Sequence, residues 1–131
     1  MNNRTFLGTA LSVLALGCTG AMAANTDVTF HFYGAKDCPP CMAFKQNHLE
    51  DVRADGQALG YSVEDNVIDR TRDVPNMGVY GERDPILRVA AQQLEDTYPP
   101  IFFVSKAGEV VSVHGPRWQD TFDAARDLAK E

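Results

Sequence analysis

Val28-Thr29-Phe30-His31-Phe32-Tyr33, followed closely by Cys38-Pro39-Pro40-Cys41 and a helix-like run from Met42, is the stretch that decides how this chain is built. Its first part is rich in aromatic and β-branched residues and reads as a mostly buried strand. Its second part sets two cysteines, two residues apart, at the start of a helix, where their sulfurs reach bonding distance. Amide dipoles at a helix start favour a thiolate on the first cysteine, and a thiolate is the attacking species in thiol–disulfide exchange. The pattern predicts a redox-active dithiol with its resolving partner beside it.

The first 23 residues are set apart from the fold. Arg4 is their only charge, and residues 6–17 are uncharged, largely apolar and too few to span a bilayer. Ala21-Met22-Ala23 then offers the small-x-small pattern of signal-peptidase cleavage. Residues 1–23 are expected to be a secretory signal and 24–131 a single domain. The rival is lipidation at Cys18, because Leu16-Gly17-Cys18 is like part of a bacterial lipoprotein signal; Ala15, three before Cys18, stands against it.

Without that segment 108 residues remain, enough for one small core, with 11 Lys and Arg against 18 Asp and Glu. A formal charge of −7 argues against nucleic acid as a partner and for a freely soluble protein, and the secretory segment sets the expected place as periplasmic or secreted. Of the chain's three cysteines only Cys38 and Cys41 are kept. A disulfide between them closes too short a loop to restrain the unfolded chain much, so chemistry explains the pair better than stapling.

Along the rest of the chain strands and helices alternate. Met42, Gln46, Leu49 and Val52 recur at helical spacing, and Asp55-Gly56 reads as the end of that helix. A second strand is expected over 62–69, its alternation broken by Glu64-Asp65-Asn66. Residues 70–83 carry loop signals at Pro75-Asn76, Gly78 and Gly81, and the part with Met77, Val79 and Tyr80 either covers the dithiol or packs as an ordinary connection. Asp84 as N-cap and Pro85 at the first position predict a helix with Leu87, Ala91 and Leu94 on one face, stopping near Thr97. Residues 101–105 and 109–114 read as a hairpin turning at Lys106-Ala107-Gly108. Trp118, Phe122, Ala125 and Leu128 make the apolar stripe of a last helix, with Trp118 expected to pack rather than bind, and His48 to be solvated.

This order, with Cys38-Pro39-Pro40-Cys41 after the first strand, Tyr98-Pro99-Pro100-Ile101-Phe102-Phe103 before the hairpin and the turn at Lys106-Ala107-Gly108, resembles the thioredoxin superfamily over nearly all of residues 24–131. The resemblance implies an α/β, three-layer fold: a central mixed sheet flanked by helices, closed by a β-hairpin and a helix. It also implies a cis-proline facing the dithiol. Thr97-Tyr98-Pro99-Pro100-Ile101-Phe102 is similar to the glutaredoxin stretch around that proline, which points to Pro99 rather than Pro100. Tyr98 would then offer its backbone to a client peptide, so Tyr98 and Pro99 are the expected substrate-binding residues. Cys38 is the expected exposed attacker and Cys41 the buried resolver.

There are departures from the family pattern. Thioredoxins carry an acid six residues before the first cysteine and a tryptophan directly before it; here these are Phe32 and Asp37. His31, next to Phe32, is expected on the opposite face of the strand. The glycine and acidic pairs with which glutaredoxins hold glutathione are not evident around His114-Gly115-Pro116-Arg117-Trp118. Pro39 and Pro40 lack amide hydrogens, and Asp37 adds a like charge beside Cys38 that Lys36 partly offsets. The expected protein is a monomeric thiol–disulfide oxidoreductase without a cofactor, nearer reductant or intermediate than strong oxidant. It would act on cysteine-containing client proteins and exchange electrons with a membrane partner. The alternatives are an inert disulfide, half of a zinc site with His31, His48 or His114, and a Cu(I)-binding or copper-delivery module on the same fold.

Overall fold

The computed structural model describes residues 27–73, 85–94 and 98–131. The secretory segment, Cys18, the stretch 74–81, the Asp84 cap and the stop near Thr97 lie outside them.

β1 (Val28–Ala35) is covered on both faces because its residues are apolar or aromatic at nearly every position. It lies inside a four-stranded sheet of order β2-β1-β3-β4. β2 (Ser62–Ile68) runs parallel to β1, while β3 (Ile101–Lys106) runs antiparallel to β1 and β4 (Glu109–Gly115) antiparallel to β3. The parallel pair needs a crossover. Two helices make it: α1 (Pro39–Asn47) and α2 (Leu49–Leu59). β3 and β4 are joined at Ala107-Gly108, both with positive φ, as a two-residue hairpin turn requires.

Two clusters divide the core between the faces of the sheet. On one, Phe30, Phe32, Phe102 and Val104 pack beneath Phe44 of α1, Leu49 and Val52 of α2, and Ala125 of α4 (Trp118–Ala129). On the other, Tyr33, Ile101 and Phe103 meet Leu87 and Ala90 of α3 (Pro85–Ala91). Helices thus sandwich a mixed sheet, as the resemblance implied. His31 lies on the α3 face, away from Phe32: its ring stacks on Phe103 at 4.4 Å and its Nε2 is 2.7 Å from Ser105 Oγ.

Three expectations are corrected. The helix after the dithiol begins at Pro39 and breaks at His48 into α1 and α2. It ends at Leu59, with Gly60 in the left-handed conformation as its cap, so Gly56 is inside the helix and not at its end. A Cβ on Gly56 would lie 2.7 Å from the Tyr61 carbonyl oxygen, which explains a glycine there without any termination. His48 is not simply solvated, because its ring stacks on Trp118 at 4.4 Å. Trp118 also packs against Phe44, so it closes the core as expected.

Candidate active site

Cys38 caps α1. Its backbone is extended, and its carbonyl accepts the first helical bond from Met42 N–H at 3.1 Å. Its Sγ accepts from Cys41 N–H at 3.3 Å. Prolines occupy the next two positions, where intrahelical partners are missing anyway and a fixed φ suits the helix. The sequence thus places the first sulfur at the positive end of α1 but leaves it one amide donor, from Cys41.

The two sulfurs are bonded, with 2.06 Å between them and 5.2 Å between the Cα atoms. Cys41 faces inward and is 0% exposed; a Cβ built on Gly34 would come within 3.1 Å of Cys41 Cβ and 2.7 Å of Phe32 Cζ. The resolving cysteine therefore rests over Gly34 beside the Phe32 ring. Cys38 is less open than expected: it is 6% exposed, with Pro99 O 3.6 Å from its sulfur. It is still the more accessible of the two.

The cis peptide bond is Pro99-Pro100. The cis residue is therefore Pro100, which is buried, and not Pro99, to which the glutaredoxin likeness points. The residue before it is Pro99, whose carbonyl faces Cys38 and which has no N–H to give. Tyr98, 57% exposed, lies one residue further out. Two adjacent prolines gave the sequence no local means of choosing between them.

Asp37 is held still. Its Oδ1 accepts from Thr71 N–H at 2.7 Å and Thr71 Oγ1 at 2.6 Å. The hydroxyl and then the amide of Thr71 hold its carboxyl below the usual carboxylate range. Lys36 does not offset this charge as expected, because its Nζ pairs with Asp69 at 2.7 Å. That pair holds the Asp69 carboxyl low in turn. Thr71 could not be found from sequence: it belongs to a short 3-10 turn, Thr71–Asp73, whose relation to Asp37 appears only once β2 lies beside β1.

A dithiol on a helix start, with one sulfur near the surface and one buried, has what reversible thiol–disulfide exchange needs. Among the described residues no group of three or more His, Cys, Asp or Glu is arranged to hold a metal ion.

A thiol:disulfide interchange protein of the thioredoxin family from Chlorobium tepidum TLS superposes with a TM-score of 0.50 and 21% identity, covering 82% of each chain. The chain has the thioredoxin fold. Oxidised mitochondrial thioredoxin 3 from Saccharomyces cerevisiae is similar at a TM-score of 0.47 and 17% identity, covering 81% of this chain and 82% of that one. The long form of spinach chloroplast thioredoxin f gives 0.47 and 16%, covering 84% of this chain and 76% of that one. No protein-family model and no curated protein matches the sequence.

Proposed function

We propose that the protein is an exported thiol–disulfide oxidoreductase that exchanges disulfides with client proteins through Cys38 and Cys41 and works as a reductant or intermediate rather than as a strong oxidant. The observation that carries this reading is the Cys38–Cys41 disulfide at the start of α1, with Cys41 buried behind Cys38. The Cys38 thiolate attacks a client disulfide, giving a mixed disulfide and a client thiolate; Cys41 then attacks Cys38 and releases the second client sulfur. The client gains two electrons and the dithiol loses them. A membrane protein that reduces the Cys38–Cys41 bond again completes the cycle, and the leader-like residues 1–23 support its taking place in the periplasm or outside the cell.

What supports this direction is the surroundings of the Cys38 sulfur. Among the described residues one amide N–H faces it, while the Pro99 carbonyl oxygen and the neighbouring Asp37 carboxylate oppose negative charge there. A poorly stabilised thiolate makes the reduced form a better electron donor.

Catalysed reduction of insulin by dithiothreitol tests the activity. Wild type is expected to accelerate it, Cys38→Ser to abolish the effect, and Cys41→Ser to accumulate a mixed disulfide. A wild type without acceleration refutes the activity. A glutathione redox series tests the direction, with the potential expected nearer ~−270 mV than ~−120 mV.

A further inference from the structure

In the proposed reaction Cys41 must lose its proton inside the protein, because it is 0% exposed. Phe32, whose ring lies beside it, offers no acceptor. The register of the sheet provides another place to look. Asp65 on β2 is the partner of Phe32 on β1. Side chains of paired residues share a face, and Val63 and Val67, two residues to either side of Asp65, pack in the same cluster as Phe32 and Cys41.

Asp65 is thus a carboxylate on the dithiol's side of the sheet, with a side chain only 12% exposed. Its Oδ2 lies 3.0 Å from Lys45 Nζ and 3.8 Å from Arg53 Nη2. Its Oδ1 is buried and has no hydrogen-bond partner among the described residues. A buried carboxylate oxygen without a partner calls for an explanation. Lys45 stands one helical turn from Cys41 on α1, so the ion pair and the resolving sulfur follow each other along the helix.

We propose that Asp65 is the proton acceptor for Cys41. The assignment rests on the exchange reaction above and adds to it where the proton goes. One strand spacing of ~4.8 Å across and a two-residue rise of ~6.6 Å along, about 8 Å together, separate the backbone of Asp65 from that of Gly34, over which Cys41 rests, a span for the Asp65 side chain and an intervening water to cover together. Oδ1 takes the proton through that water, leaving Cys41 as a thiolate. The thiolate bonds to Cys38 Sγ, the bond from Cys38 to the client sulfur breaks, and the client leaves as a thiolate. Lys45 and Arg53 hold Oδ2 and leave Oδ1 as the oxygen that accepts.

The test is the single-turnover reaction of the reduced protein with 5,5′-dithiobis(2-nitrobenzoate), followed as two releases of thionitrobenzoate from about pH 5 to 9. The first release reports Cys38 attack and the second reports resolution by Cys41. Asp65→Asn is expected to leave the first within about twofold and to slow the second at least ~10-fold with an altered pH profile. Asp65→Glu is expected to restore most of the second. Lys45→Gln, at a residue 43% exposed in its side chain, is expected to move the second profile to higher pH and leave the first unchanged. A wild type that releases no second equivalent brings down the exchange reading and this one together. A normal second release and pH profile in Asp65→Asn, or in Lys45→Gln if the first variant does not fold, overturns the Asp65 assignment alone.

Discussion

Three neighbours of Cys38, two local in the chain and one distant, set the charge environment of its sulfur. Cys41 lies three residues away and its amide favours a thiolate; Pro99 lies 61 residues away and its carbonyl does not. Asp37 is adjacent, but Thr71, 34 residues on, fixes where its charge sits. A charge held at the surface acts through water, so its effect on a neighbouring thiol is on the order of half a pH unit. Asp37→Asn is therefore expected to lower the midpoint of Cys38 alkylation by about that much, and to raise the reduction potential with it. An unchanged midpoint shows that the charge does not reach the sulfur. The cysteines and Asp37 were legible from local pattern alone. Thr71 was not, because nothing in a sequence marks a threonine as the partner of an acid on another element.

At the scale of elements, the helical crossover shows how a local signal misleads. Asp55-Gly56 carries the composition of a helix end, yet α2 passes through it, because the turn to Tyr61 needs room where a side chain would stand. Tyr61 in turn holds α2: its hydroxyl donates to Asp55 Oδ2 at 2.8 Å, and burial and that carboxylate push its ionisation far above the ordinary tyrosine value. Gly56→Ala thus sets two effects against each other. Alanine gains about 1 kcal/mol of helix propensity over glycine. The new Cβ meets a backbone carbonyl at 2.7 Å, and forcing a methyl group into a packed site costs about 1–3 kcal/mol. The obstacle is backbone and cannot rotate away, so the clash is expected to win, with net destabilisation of about 1 kcal/mol in urea unfolding. A stabilised variant shows instead that Tyr61 shifts freely. The strands were easier to read, since β1, β3 and the turn at Ala107-Gly108 are each specified by neighbouring residues.

The whole molecule was legible as an order of elements but not as a set of meetings between them. Periodicity and turn residues indicate which segments are strands and helices; the register that sets Asp65 beside Phe32 arises only when β2 pairs with β1. The same long-range assembly shapes how the fold responds to acid. His114 on β4 is half-buried, with Nε2 against Ser112 Oγ, and burial pushes its pKa below the ordinary 6.5, opposed by Asp120 and aided by Arg117. Asp37 and Asp69 lie below the ordinary 3.8 because of Thr71 and Lys36. For His114 the unfolded chain takes up a proton just below 6.5 while the folded protein resists, so stability falls there and levels off below the folded pKa. For the two acids the contribution is complete above 3.8 and is lost as pH falls from there through their folded values. Acid should therefore weaken the fold in two separate windows. His114→Gln is expected to remove the upper one and keep the lower, seen as a flatter plot of unfolding free energy against pH between about 5 and 7, measured by urea denaturation. Parallel curves for wild type and variant across that range would show that burial of His114 contributes nothing to the fold's response to acid.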